Sequence, residues 1–289
     1  MRILFVHGIA QGGKDPAQLE KVWVETLQEG FDQAGKPWPK DLAVDFPFYG
    51  DVLDAFVREE DLPRPDDVLA KGAGGNDEFE AFTQAALDEM QQDGPVTEAE
   101  VQAQMDPATS QEKGIQNWGW VRAIARAIDR RLTPVSEFTI EHFLREVFVY
   151  TARKHVTKEI NDIVVEKLTG EPTVVVGHSL GTVVAYNVLR QGLAGRDIRG
   201  FVTVGSPLGL KTLAPTLGVL GHPVPQAGWF NAYDHRDIVA LHPLESPYFK
   251  VKPLIANHGK VNNSTDNRHG IIGYLNDRQV AERIAQAMA

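Results

Sequence analysis

The segment Thr173-Val174-Val175-Val176-Gly177-His178-Ser179-Leu180-Gly181 reads as a buried strand running into a sharp turn. Its apolar run predicts a strand covered on both faces, as in a parallel sheet. The turn has the form G-x-S-x-G, which lifts a serine hydroxyl clear of the carboxyl end of a sheet. Its glycines stand where a β-carbon would collide across the turn. Beyond it, Val183, Val184, Tyr186, Asn187 and Leu189 recur at helix-compatible spacing from Thr182 to Arg190. The start of that helix aims amide hydrogens at negative charge developing beside Ser179.

Strands and helices alternate on either side of this segment. Ile3–Val6 is a second continuous apolar run. Asp15 then stands as an N-cap with Pro16 at the first helical position and Gln18 as its capping-box partner. Leu19, Val22, Trp23, Thr26 and Leu27 form the apolar stripe of that helix, with Gly35 at its stop. Further strands are expected at Leu42–Phe48, Gly200–Val204, Trp229–Tyr233 and Val251–Ala256, a long helical stretch at Glu141–Leu168 and a terminal helix at Arg278–Met288. The pattern predicts one α/β domain over residues 1–289, with a mostly parallel sheet flanked by helices.

Residues 51–140 break the alternation. Between Asp51 and Glu112 there are 17 acidic residues against three basic ones, although the whole chain carries only −10. Such a shift marks a largely helical insertion between the second strand and the long helix. Within it, Trp118, Val121, Ile124, Ala125, Ile128 and Leu132 make an apolar stripe. One reading packs this helix on the core; the other makes it a cap that opens over an active site.

Composition narrows the function. With 43% hydrophobic and 24% charged residues the chain is an ordinary globular protein able to bury a sizeable core. It has no cysteine, which excludes a disulfide framework, a thiolate metal site and a cysteine nucleophile, and fits a cytoplasmic location. The first residues are too short an apolar stretch for a signal peptide. Thr212–Tyr233 is uncharged over a length that could span a membrane, but its prolines and glycines break any such helix. The negative charge argues against nucleic acid or an anionic membrane as the main partner. No histidine pair has metal-ligand spacing with a carboxylate partner, so no catalytic metal is expected.

A serine needs a base to take its proton and an acid to orient that base, and in this motif they follow in the order Ser, acid, His. Asp234 and Asp237 both lie in the turn after Trp229–Tyr233; Asp237 is favoured because Ile238-Val239 would hold its backbone against the sheet end. His258 and His269 are the candidate bases. His269 is favoured because the polar loop Asn257–Arg268 lets it return across the sheet end, whereas His258 sits at the strand edge. Leu180, after the serine, and Ile9, in the loop Val6-His7-Gly8-Ile9-Ala10, are the expected amide donors to an oxyanion.

Together these pieces resemble the α/β-hydrolase superfamily, and within it the serine esterases and lipase-like hydrolases. The resemblance rests on Phe5-Val6-His7-Gly8, on Gly177-His178-Ser179-Leu180-Gly181, on the turn holding Asp234 and Asp237, and on the His269 segment with Tyr274-Leu275 behind it. It implies an α/β-hydrolase fold, a Ser-His-Asp triad and no cofactor. The two strands that usually precede the His-Gly strand have no counterpart here, which implies a smaller sheet of about six strands. The expected activity is cleavage of small-molecule acyl esters through an acyl-enzyme, with the uncharged segment between Pro207 and Trp229 lining an acyl pocket. Thioester, amide or peptide cleavage, acyl transfer, and ligand binding without catalysis are the alternatives. So is interfacial lipase action with Trp118–Leu132 at the membrane, although the negative charge and lack of a signal peptide weigh against it.

Overall fold

The computed structural model describes residues 1–60, 62, 77–107, 117–131, 139–192 and 194–289. Six parallel strands form one sheet: β1 Arg2–Val6, β2 Ala43–Asp45, β3 Thr173–His178, β4 Ile198–Val204, β5 Trp229–Ala232 and β6 Ala256–His258. Their spatial order is β2-β1-β3-β4-β5-β6. The chain moves outward from β1 to β2 and then returns past β1 to β3. The carboxyl ends of β1 and β3 therefore diverge into a crevice, the place where open α/β sheets bind ligands.

Alternation along the strands divides the core between two faces. Ile3, Phe5, Val174, Val176, Val202 and Val204 point to one face. They meet Trp23, Leu27 and Phe31 of α1 Pro16–Gln33, and Val280, Ala281 and Ile284 near the end of the chain. Leu4, Val6 and Val175 point to the other face and join a larger cluster. As expected, Asp15 caps α1, its side chain accepting the Ala17 amide at 2.9 Å, although among the described residues Gln18 does not complete a capping box.

Between β2 and β3 the described residues hold α2 Gly50–Glu59, α3 Asp77–Asp93, α4 Glu98–Gln102, α5 Trp118–Arg131, α6 Ile140–Ala152 and α7 Lys154–Val165. On α5, Val121, Ile124, Ala125 and Ile128 are buried in the core shared with Leu4 and Val175, and Trp118 is half-buried. The core-packing reading of that stripe therefore holds; Leu132 lies outside the described residues. The buried Glu89 on α3 fastens the insertion to the loop after β4. Its carboxylate accepts the amides of Lys211 at 2.7 Å and Thr212 at 3.0 Å, together with the Thr212 hydroxyl at 2.8 Å. After β3 come α8 Leu180–Arg190, α9 Ala214–Leu217, α10 Ile272–Leu275 and α11 Arg278–Met288.

Three elements depart most from the sequence expectation. The stretch Glu141–Leu168 is two helices, broken at Arg153, whose backbone is extended and whose guanidinium bridges Glu60 at 2.8 Å and Glu78 at 3.0 Å. The strand expected at Leu42–Phe48 shortens to Ala43–Asp45, the three residues in register with Arg2–Leu4. The strand expected at Val251–Ala256 begins only at Ala256, because Pro253 offers no amide to a ladder and pairing with β5 covers Ala256–His258 alone. No helix among the described residues is long and apolar enough to cross a membrane. Thr212–Tyr233 holds only the short α9 and β5.

Candidate functional site

Ser179 stands at the junction of β3 and α8 with φ 54° and ψ −130°. A non-glycine residue in that region stores about 1–3 kcal/mol of backbone strain, which persists only where the surroundings enforce it. Here the Ser179 amide donates to the Val204 carbonyl at 3.2 Å, and its carbonyl accepts the Thr182 hydroxyl at 2.7 Å. The glycines make the turn fit: a β-carbon on Gly181 would collide with the Val6 and His7 carbonyls, and one on Gly177 would lie 2.9 Å from the Gly181 carbonyl. The loop after β1 passes just as close. A β-carbon on Gly8 would come within 2.7 Å of the Ser179 β-carbon.

His269 lies across the sheet end from α8. Its Nε2 is 2.8 Å from the Ser179 Oγ and its Nδ1 is 2.7 Å from the Asp237 Oδ2. A carboxylate can only accept, so Nδ1 carries the proton and Nε2 presents its lone pair to the serine hydroxyl. All three side chains are buried, Ser179 being 1% exposed and His269 2%. Asp237 is fully engaged. Oδ1 accepts the amides of Val239 at 2.9 Å and Ala240 at 3.4 Å, and Oδ2 also accepts the Tyr274 hydroxyl at 2.6 Å. Burial and the neighbouring Asp237 hold the Tyr274 phenol far above its ordinary pKa, so it remains a donor.

The segment before His269 is shaped by short polar side chains. Asn267 accepts the amides of His269 at 3.0 Å and Gly270 at 2.9 Å. The half-buried His178 donates from Nε2 to the His269 carbonyl at 2.7 Å. Burial, with His269 close by, holds the His178 imidazole well below its ordinary pKa, so it stays neutral.

The alternatives raised by the sequence sit elsewhere. Asp234 is a loop staple, accepting the Arg236 guanidinium at 2.6 Å and 3.0 Å and the amides of Arg236 and Asn263 at 2.9 Å each. Its burial acts to raise the carboxyl, but the Arg236 bonds outweigh that and hold it below its usual range. His258 faces Asp277 at 3.7 Å. Among the described residues neither the Ile9 amide nor the Leu180 amide has an acceptor.

His7 explains how the first of those amides is aimed. Its Nδ1 donates to the Gly8 carbonyl at 2.8 Å and its Nε2 accepts the Tyr49 amide at 3.1 Å. Fixing the Gly8 carbonyl fixes the trans peptide, so the Ile9 N–H points the opposite way. Burial pushes the His7 imidazole down to about 4. The unfolded chain, with an ordinary value of 6.5, then binds more protons than the folded one between those limits. Stability from this residue is complete above pH 6.5 and is lost as the pH falls towards 4. Between pH 7 and pH 5 the loss from His7 is about 2 kcal/mol, and His178 acts in the same direction. Urea unfolding at the two values checks this; an unchanged midpoint would show that the folded protein accepts these protons.

A cavity of about 260 Å³ opens onto Ser179 and His269. Ile9, Leu19, Val22, Trp23 and Ile271 form its apolar wall, with Gln11 and Lys14 as polar lining. No residue between Pro207 and Trp229 lines this cavity, contrary to the acyl-pocket expectation. Pro207, Leu208 and Gly209 form a buried turn instead, capped by Ser206. A second cavity of about 220 Å³ lies where Val96, Ile128 and Arg131 of the insertion meet Ile238 and Asn267, so the insertion borders the loops that carry Asp237 and His269.

One cluster escaped the sequence reading. His242 Nε2 lies 3.1 Å from Glu89 and 3.5 Å from Asp93, a set that could hold a metal ion. Both Glu89 oxygens already accept protein donors, and Asp93 pairs with Lys211 at 2.8 Å. The cluster as built is therefore a hydrogen-bonded clamp. Tyr274, His178 and Asn267 were also given no role by sequence reasoning; the positions of His178 inside the motif and of Tyr274 behind the His269 segment were the signals that hinted at one. The chain matches no family model, and no curated protein matches it significantly.

Proposed function

We propose that the protein is a serine hydrolase of the α/β-hydrolase type that cleaves carboxylic esters through an acyl-enzyme. The observation that carries this reading is the buried chain Asp237–His269–Ser179, with bonds of 2.7 Å and 2.8 Å, at the sheet's crevice. In this mechanism Ser179 Oγ attacks the ester carbonyl while His269 Nε2 takes its proton. Asp237 stabilises the imidazolium that forms and Tyr274 steadies Asp237. The amides of Ile9 and Leu180 receive the charge on the carbonyl oxygen, and the α8 N-terminus adds to their field. His269 then protonates the departing alcohol and activates water to release the acid.

The apolar wall of Ile9, Leu19, Val22, Trp23 and Ile271 favours a small apolar group on the substrate. A panel of ester, thioester and amide substrates sharing one short acyl group tests the reading. Turnover is expected to be fastest on the oxygen ester. A folded protein that cleaves none of the three would favour ligand binding without catalysis.

A further inference from the structure

We propose that Glu146 is a positioning residue for the loop after β1, holding the Ile9 amide towards the carbonyl oxygen of the substrate; the inference rests on the hydrolase reading above. Glu146 lies on α6, remote in sequence from the β1 loop, yet its Oε1 accepts the Ala10 amide at 3.0 Å. Ala10 needs such a partner. Its φ is 57°, in the left-handed region that a side chain disfavours, and it follows the proposed donor directly. The bond to Glu146 fixes the amide end of the Ile9–Ala10 peptide. Gln11 Nε2 fixes the carbonyl end, donating to the Ile9 oxygen at 2.6 Å. His7 already sets the preceding peptide, so Ile9 is locked on both sides.

A carboxylate is an expensive group to bury for packing alone, and Glu146 is only 4% exposed. Its second partner is the His142 imidazole one helical turn earlier, with Nε2 at 2.5 Å from the same oxygen. That bond raises the pKa of His142, which favours its imidazolium form beside Glu146. Charge on the acceptor strengthens the Ala10 bond over that to a neutral acceptor. Nothing in the proton path from Ser179 to Asp237 involves Glu146, so its effect should fall on the oxyanion alone.

The test compares the wild type with Glu146→Ala and Glu146→Gln on the best ester. Removing an oxyanion donor outright costs about 10²–10³ in kcat, so misaiming one predicts a loss of about 10- to 100-fold for Glu146→Ala, with KM within about twofold. Affinity for a trifluoromethyl ketone, which forms a tetrahedral adduct on the serine, should fall in step with kcat/KM. Glu146→Gln keeps an acceptor without the charge and should recover most of the rate, remaining about threefold below wild type. If the alanine variant does not fold, the glutamine variant decides alone: reduced kcat at unchanged KM supports the proposal, and wild-type kcat overturns it. An alanine variant with full kcat and only a lower melting temperature would show a merely structural role, overturning the proposal while leaving the hydrolase reading intact. A wild type that hydrolyses no ester overturns both.

Discussion

Replacing Ser179 with alanine is expected to lower kcat on the best ester by about 10⁶, the order seen when the serine of such a triad is removed. The change deletes only the Oγ, whose one hydrogen bond among the described residues is to His269. The turn itself is held by backbone groups and by Thr182, so the fold should survive with a melting temperature close to wild type. Steady-state kinetics beside a thermal melt separate the two effects. A variant retaining a tenth of the wild-type rate would remove Ser179 from the mechanism.

The second large effect separates two neighbouring carboxylates. Asp237→Asn should cost about 10⁴ in kcat through the histidine tautomer. The Val239 and Ala240 amides both donate to Oδ1, so the asparagine oxygen must take that place and its NH₂ the other. An NH₂ at Oδ2 donates to His269 Nδ1, driving the ring proton to Nε2, where it can no longer accept from Ser179. Asp234→Asn should leave kcat within a few-fold and instead lower stability. It deprives the Arg236 guanidinium of its charge partner, and breaking a buried pair costs about 3–5 kcal/mol, less here because Arg236 is partly exposed. Kinetics and urea unfolding on both variants read out the contrast; equal rate losses would contradict the assignment of Asp237.

What the sequence made legible was local. The run Thr173–Val176, the glycine spacing around Ser179 and the Asp15-Pro16 cap each fix backbone geometry within a few residues, and each predicted its element. The parallel sheet followed because strands and helices alternate. His269 could be preferred over His258 because a base must cross the sheet end, and the polar loop that lets it do so is built by Asn267 bonding the amides of His269 and Gly270.

What was not legible depends on contacts between distant segments. Glu146 reaches Ala10, Glu89 reaches Lys211 and His242, and Arg153 leaves the helix while pairing with Glu60 and Glu78. No spacing rule links such residues. The Pro207–Trp229 segment misled for a related reason: Leu208, Leu210, Leu213, Leu217 and Val224 join the core that holds Phe201 and Leu189, whereas the wall beside Ser179 comes from Ile9, α1 and Ile271. Apolar composition identifies burial, and only topology tells which apolar surface meets the ligand.

Ester hydrolysis by this chain requires Ser179 to be an activated nucleophile. Intact-mass analysis after exposure to a fluorophosphonate probe reads this directly, with the wild type and Ser179→Ala side by side. One covalent adduct on the wild type and none on the variant is the predicted result. A folded wild type that takes no adduct, or a variant that still takes it, would contradict the account.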